Sequence, residues 1–297
     1  MGRSMRGQRT TEMRKAPGGC RSARNQRPPT AALDLRALEN LYARYNRPAF
    51  IGDDPLGLVL RYPEPEDREI VALVASSLAY GRLRQIRRSV CLVLERLGPR
   101  PARFVRDGSP SRLARALRGF RHRFTNGADL AALLIGVRGA LARHGSLDAC
   151  FAAAGSATDG SIAARIAAFV SEVRSGAGGL PGHLLPCPTD GSACKRLNLF
   201  LRWMVRRDEV DPGGWTSLRP ADLIVPLDTH MHRIARRLGL TARRAADWRT
   251  ASEVTQAFAR VAPDDPVRYD FALTRLGLQP GADLAAFLRA CGHPEAA

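Results

Sequence analysis

The lysines of this chain are its first chemical signal. Only two of the 46 basic residues are lysines, Lys15 and Lys195, and the others are arginines. Arginine stays protonated at any working pH, whereas a buried lysine can lose its proton and act as a nucleophilic amine. Lys195 also falls at the predicted start of a helix, where free backbone N–H groups favour an uncharged amine or bind an anion. We therefore predict a catalytic role for Lys195, the alternative being a lysine that is present by chance.

A second candidate is Asp228, between an extended segment and a predicted helix. Pro226 keeps the preceding residue extended, so Asp228 takes the N-cap position of a helix that Gly239 ends. From spacing alone, a structural cap that contributes about 1 kcal/mol is the simpler interpretation. His230 and His232 are two residues apart and point to different helix faces, so we predict no metal site.

The residues around Asp228 resemble a known signature. The run Pro226-Leu227-Asp228-Thr229-His230, with Arg233-Ile234-Ala235 and Arg237-Leu238-Gly239-Leu240, is similar to the Val-Asp-Thr-His, Arg-Val and Arg-Leu-Gly-Leu signature of the helix-hairpin-helix (HhH-GPD) DNA glycosylase superfamily. In that superfamily the aspartate is catalytic, and bifunctional members carry a lysine on a preceding helix. The resemblance therefore implies that Asp228 and Lys195 form the catalytic pair.

A closer likeness extends over most of residues 34–290. The segments Tyr42 to Pro48, Gly191 to Arg207, Asp228 to Leu240 and Arg268 to Leu273 resemble an uncharacterised bacterial family related to these glycosylases, nearest to the archaeal 8-oxoguanine type. The resemblance implies a base-excision repair glycosylase that acts on a damaged base, an oxidised purine being the first expectation. It also implies lyase activity through a lysine Schiff base. The alternative is a non-catalytic DNA- or RNA-binding protein that keeps the fold.

The same interpretation assigns residues to the binding of nucleic acid. The predicted nucleic-acid-binding residues are Gly191, Ser192, Arg196, Arg202, Arg233 and Arg82, with the arginines as phosphate contacts. Tyr80 and Trp203 are predicted to form a base pocket or a wedge, with Phe124 and Trp215 as further aromatic candidates. For Arg202 and Trp203, a solvated helix face and a core position are the simpler interpretations.

The charge balance points to a polyanionic partner. The formal net charge is +18, which favours DNA, with structured RNA as the other polyanion, although arginine richness can also be a compositional habit of a genome. The six cysteines show no Cys-x-x-Cys spacing, and no segment has the length and apolar character of a membrane span. We therefore expect a monomeric, cytoplasmic, nucleoid-associated protein with no membrane partner, metal or cofactor.

Helical periodicity dominates the elements that must position these residues. Residues 1–32 are predicted to form a disordered basic tail, 33–290 a single all-α domain of two helical subdomains with a cleft between them, and 291–297 a C-terminal tail. Predicted helices include 34–45, 65–81, 83–97, 128–144, 192–207, 228–238 and 264–276. Residues 47–62 are predicted to be loop, and strand patterns are nearly absent.

Overall fold

A computed structural model describes residues 33–158, 160–276 and 284–292. Its α-helices are α1 (Leu35–Tyr45), α2 (Leu56–Val59), α3 (Pro65–Ser77), α4 (Leu83–Leu97), α5 (Pro101–Asp107), α6 (Pro110–Ala116), α7 (Gly127–His144), α8 (Leu147–Ser156), α9 (Ile162–Ser175), α10 (Lys195–Val205), α11 (Thr229–Arg237), α12 (Trp248–Ala259), α13 (Asp270–Leu276) and α14 (Leu284–Ala290). Three 3-10 turns cover Pro48–Phe50, Pro188–Asp190 and Pro220–Asp222. The strands of the described part are β1 (Arg121–His122) and β2 (Thr125–Asn126), which pair antiparallel. The all-α class is confirmed. The predicted tail at 1–32 lies outside the described residues, as does the predicted tail at 291–297 except for Cys291 and Gly292.

Helices α1, α7 and α11 each begin at a short polar side chain that caps them. The Asp34 carboxylate accepts a hydrogen bond from Ala37 N at the start of α1. Asn126 and Asp129 form a reciprocal capping box at the start of α7. The Asp228 carboxylate accepts from Met231 N at 2.8 Å, so this residue caps α11 as the sequence predicts. The first-turn backbone donors of these helices are therefore satisfied by short polar side chains.

Four local features differ from the prediction. Helix α3 ends at Ser77 and not at Gly81, because Tyr80 N bonds to Leu78 O in a turn and Gly81 has a φ of +102°. Residues 264–269 form turns before α13, since Arg268 N bonds to Asp265 O. The predicted loop at 47–62 contains α2, and the β1–β2 hairpin is not among the predicted elements.

Helix α3 lies in the centre of the core. Residues Ile70 to Ser77 are all buried, and the helix packs against α2, α5 and α10. Helix α7 packs against α5, α6, α8 and α9, and Gly136 allows close approach because a Cβ there would meet Val173 O at 2.2 Å. Helix α13 packs against α1 and α11. The division of 33–290 into two subdomains stays a prediction. None of the described helices combines the length and apolar character that a membrane crossing requires.

Candidate active site

Three segments that are distant in sequence meet at one pocket. They are the turn after α3, the start of α10 and the start of α11, and they enclose a volume of about 760 Å³. The volume lies within the range of small-ligand sites, which is typically about 300–1,000 Å³. The packing of α10 against α3, and of α11 against α13, fixes these helix starts relative to one another.

Lys195 and Asp228 meet in this pocket. Lys195 Nζ lies 3.9 Å from Asp228 Oδ2, and it also donates a hydrogen bond to Ala79 O at 3.4 Å. Their side chains are 30% and 27% exposed, so both remain accessible from the pocket. The early end of α3 leaves the Ala79 carbonyl available, since it does not continue the helix. The structure thus brings the two predicted residues together; their catalytic roles stay predictions.

The residue before Lys195 has an unusual backbone. Cys194 has a φ of +50°, in the left-handed region, and it caps α10 without a side-chain bond. A non-glycine residue in this region typically carries about 1–2 kcal/mol of backbone strain, which the surrounding interactions must offset. Ser192 Oγ accepts from Cys194 N at 3.1 Å and stabilises the turn. Burial raises the pKa of the Cys194 thiol to about 12, so the thiol stays protonated near neutral pH.

An aromatic cluster also lines the pocket, next to Ala79. The rings of Tyr80 and Phe124 stack with centroids 4.7 Å apart and an interplanar angle of 19°. The Arg196 guanidinium lies 5.0 Å from the centroid of the Tyr80 ring and donates to Ser77 O and to His183 O. Arg196 thus contacts the end of α3 and the Tyr80 ring, and two of its five N–H donors bond within the protein.

Most of the chain matches a known protein family. The family model, described as a protein of unknown function (DUF2400), matches residues 54–279. This chain belongs to the DUF2400 family. No curated protein and no solved structure matches it. The matched range of this DUF2400 protein includes Lys195, Asp228 and the aromatic cluster, and it excludes the N-terminal basic segment.

Arg202 in the DUF2400 chain is buried, which corrects its predicted role as a phosphate contact. Its side chain is 4% exposed, Nε and Nη2 donate to Asp211, and Nη1 donates to Asp270 at 2.5 Å. Arg206 is buried beside it and pairs with Asp208, Asp211 and Asp265. Burial raises the pKa of Asp270 to about 6, against the opposing effect of Arg202. Arg202 therefore anchors α10 and does not present its charge to solvent.

The other predicted binding residues lie in different surroundings. Arg82 and Arg233 are exposed, and Arg233 Nη2 contacts His230 Nδ1 at 3.3 Å. Gly191 is exposed and left-handed, with a φ of +72°, and Ser192 lines the pocket. Of these, Ser192 and Arg196 lie at the pocket of the DUF2400 chain.

The predicted aromatic residues divide into pocket and core. Trp203 is 1% exposed and lines the pocket, and its indole N–H has no acceptor among the described residues. Trp215 donates from Nε1 to Glu69 at 2.7 Å and belongs to the core, so it is not a stacking candidate. Tyr80 lines the pocket, as does Phe124, which is 59% exposed.

Sequence reasoning missed other residues of the DUF2400 pocket. Asp54 and Arg275 form an ion pair on its wall, 221 residues apart in the chain, and a pair at that separation leaves no local signal. Arg123 was also missed, because the short hairpin that presents it has no alternating strand pattern. Within the described ranges, no three His, Cys, Asp or Glu side chains are grouped so as to hold a metal ion.

Proposed function

We propose that this protein is a DNA glycosylase with associated lyase activity, which acts on a damaged base. The observation that carries the proposal is the 3.9 Å approach of Lys195 Nζ to Asp228 Oδ2 at a pocket of about 760 Å³. The resemblance of the Asp228 segment to the HhH-GPD signature supports the same assignment. Following that resemblance, oxidised purines are the first class of base to test.

The substrate has to reach the pocket in an extruded form. Enzymes that act on a base within a duplex rotate the nucleotide out of the stack, which costs a few kcal/mol and least at a damaged pair. A net charge of +18 supplies the attraction for the phosphate backbone. A pocket lined both by aromatic rings and by the Lys195–Asp228 pair suits a planar base attached to its deoxyribose.

Lys195 would act as the nucleophile. Its amine, after losing a proton, attacks C1′ while the C1′–N bond breaks, and the base leaves with the bonding electrons and takes up a proton. The nitrogen then loses a proton, and the C1′–O4′ bond breaks as O4′ takes up a proton, which gives a protonated imine between Nζ and C1′. Removal of a proton from C2′ expels the 3′ phosphate and cleaves the strand. The contact with Ala79 O keeps the amine on the pocket side of α10.

Asp228 would stabilise the sugar while the glycosidic bond breaks. One of its oxygens is fixed by Met231 N at 2.8 Å, and the other faces Lys195. A carboxylate held in this way stabilises positive charge that develops on the sugar ring without needing to reorient. It also orients the lysine amine before attack. Removing such a preorganised charge typically costs about 100-fold or more in rate.

The experiment is a single-turnover incubation with duplexes that carry 8-oxoguanine, thymine glycol, uracil or an abasic site. Sodium borohydride reduces the imine to a stable amine and so traps the covalent complex. The chain has two lysines, so peptide mapping of the adduct distinguishes Lys195 from Lys15 directly. Lys15→Arg is the matched control and is expected to keep trapping, whereas Lys195→Gln and Lys195→Arg are expected to lose it. We expect Asp228→Asn to slow base release by about 100-fold.

The outcomes separate the proposal from its alternative. Trapping that depends on Lys195 and base release from one duplex would establish a lysine-dependent glycosylase and indicate its lesion. No base release and no adduct from any duplex would overturn the proposal. In that case, retained DNA affinity that is equal in wild type and Lys195→Gln would identify a non-catalytic nucleic-acid-binding protein.

A further inference from the structure

The β1–β2 hairpin presents one large aromatic ring to solvent at the edge of the pocket. Phe124 is 59% exposed and lies with Arg123 at the tip of the hairpin, in the two-residue turn between His122 and Thr125. Burying a Phe side chain typically gains about 1.5–3 kcal/mol, so leaving this ring exposed forgoes that gain. Among the described residues, four large apolar side chains are exposed: Phe124 is the aromatic one, and the other three are leucines.

The exposed ring is held in one orientation. One face of Phe124 stacks on Tyr80, and the Phe124 and His183 rings form a T-shaped contact with their centroids 4.8 Å apart. Hydrogen bonds anchor the hairpin beneath it: Tyr80 Oη donates to the buried Thr125 Oγ1 at 2.6 Å, and Thr125 Oγ1 contacts His183 Nε2 at 2.8 Å. His122 is fully buried and bonds to Ser89 and to Tyr80 O. The ring is therefore preorganised to stack against another planar group.

The surface around Phe124 is basic. Arg121 and Arg123 are exposed on the hairpin, and Arg82 at the N-cap of α4 and Arg84 and Arg88 within it are exposed on the helix that packs against β1. We call these five arginines the basic face. In the described part of the chain, none of the five forms an ion pair with a carboxylate; the pair on this side of α4 is Arg87 with Asp53. The segments 81–94 and 110–126 contain nine arginines and no acidic residue. A polyanion fits this surface better than a protein partner of mixed charge.

We propose that Phe124 stacks on an unpaired base of DNA, while Arg121 and Arg123 bind the phosphates on either side of it. Aromatic side chains with flanking arginines are the usual means of holding unpaired bases, because every base has a face on which to stack. The chain therefore prefers DNA with an unpaired base to an intact duplex of the same length and charge. This inference rests on the DNA binding in the proposed function, but it does not depend on the chemistry of Lys195.

The test compares binding affinities in the full chain with Lys195→Gln as background, so that no substrate is consumed. Two labelled duplexes of equal length are used, one fully paired and one with a single base opposite an abasic site. We expect the background protein to bind the second duplex about tenfold more tightly, within the range for base–aromatic stacking. Phe124→Ala should remove this preference and Phe124→Trp should retain it. Leu60→Ala, which also truncates an exposed apolar side chain, is the matched control and should change nothing.

Each outcome decides the inference. The inference is supported if Phe124→Ala loses the preference, Leu60→Ala keeps it, and the melting temperature of Phe124→Ala is unchanged. The same result supports the inference when wild type cleaves no lesion, because only the proposed chemistry then fails. An equal preference in Phe124→Ala and the background overturns it while leaving the lyase proposal intact. No measurable affinity of the background protein for either duplex overturns both this inference and the DNA binding on which it rests.

Discussion

Two groups of arginines in this protein have opposite surroundings. The five of the basic face are exposed and have no carboxylate partner among the described residues. Arg202 and Arg206 are 4% and 3% exposed and bind Asp208, Asp211, Asp265 and Asp270 between them. The groups have the same side chain and arise from the same arginine-rich composition. Their difference shows that total charge does not indicate which arginines are available to a partner, because that depends on the burial and pairing of each side chain.

The buried group stabilises the geometry of the pocket. Burying a charge costs several kcal/mol, and the network offsets this cost because each guanidinium is held by at least two carboxylates. Arg202 lies two turns after Lys195 on α10 and bonds to Asp270 at the start of α13, which packs against α11. The network thus connects the helix that carries Lys195 to a neighbour of the helix that Asp228 caps.

The largest expected effect comes from breaking the buried group. Asp211→Ala removes the carboxylate that Arg202 and Arg206 share, and it leaves two buried guanidinium groups with weaker compensation. We expect the free energy of unfolding to fall by about 3–5 kcal/mol. Urea denaturation followed by circular dichroism measures this change. A loss below about 1 kcal/mol would mean that water reaches the network, and the contrast between the two groups would not hold.

The second prediction concerns the basic face. The triple variant Arg84→Gln, Arg88→Gln, Arg121→Gln should unfold at the same denaturant concentration as wild type, because these side chains are exposed and unpaired. Its affinity for duplex DNA should fall by about tenfold or more at low salt. The slope of log K against log salt should become shallower by about 0.9 for each phosphate that the variant no longer neutralises. Fluorescence anisotropy across a salt series measures both quantities.

An exposed arginine with a partner provides the control for this second prediction. Arg219 is exposed, but it forms a two-bond pair with Asp222. We expect Arg219→Gln to leave both the DNA affinity and the salt slope unchanged. If it weakens binding as much as one substitution on the basic face does, the absence of a carboxylate partner is not what defines the binding surface.

Much of the scaffold follows from local sequence signals. Asp34, Asn126 and Asp228 cap helices where a short polar residue precedes an apolar period, and Gly98 ends α4 as glycine commonly does. Lys195 stands out because it is the one lysine after position 15. Such signals depend on a few neighbouring residues, so they can be recognised without knowing which helices pack together.

The interactions that decide burial are not local, and they account for the errors. The stripe of α10 gives no sign that Arg202 faces inward, because its partners Asp211 and Asp270 lie nine and 68 residues away. The β1–β2 hairpin has two residues in each strand, too few for an alternating pattern. Its role depends on Tyr80, which approaches it from 42–45 residues upstream. The sequence therefore predicted Lys195 and Asp228 at helix starts and named Tyr80 and Phe124 as aromatic candidates, but it did not predict the hairpin that presents Arg123 and Phe124.

The smallest expected effect concerns His122, the buried anchor beneath the exposed hairpin. Burial lowers its pKa below the ordinary value, so the ring is neutral, accepts from Ser89 and donates to Tyr80 O. The unfolded chain then binds a proton near pH 6.5 while the folded chain does not, so stability falls as the pH drops below that value. His122→Gln should lower the free energy of unfolding by about 1 kcal/mol at pH 8, because one of the two buried hydrogen bonds is weakened. The difference in unfolding free energy between wild type and variant should narrow below pH 6.5, because wild type loses stability there whereas glutamine does not titrate. Denaturation curves at pH 8, 7, 6 and 5 test this, and a gap that stays constant or widens on acidification would show that His122 is protonated in the fold.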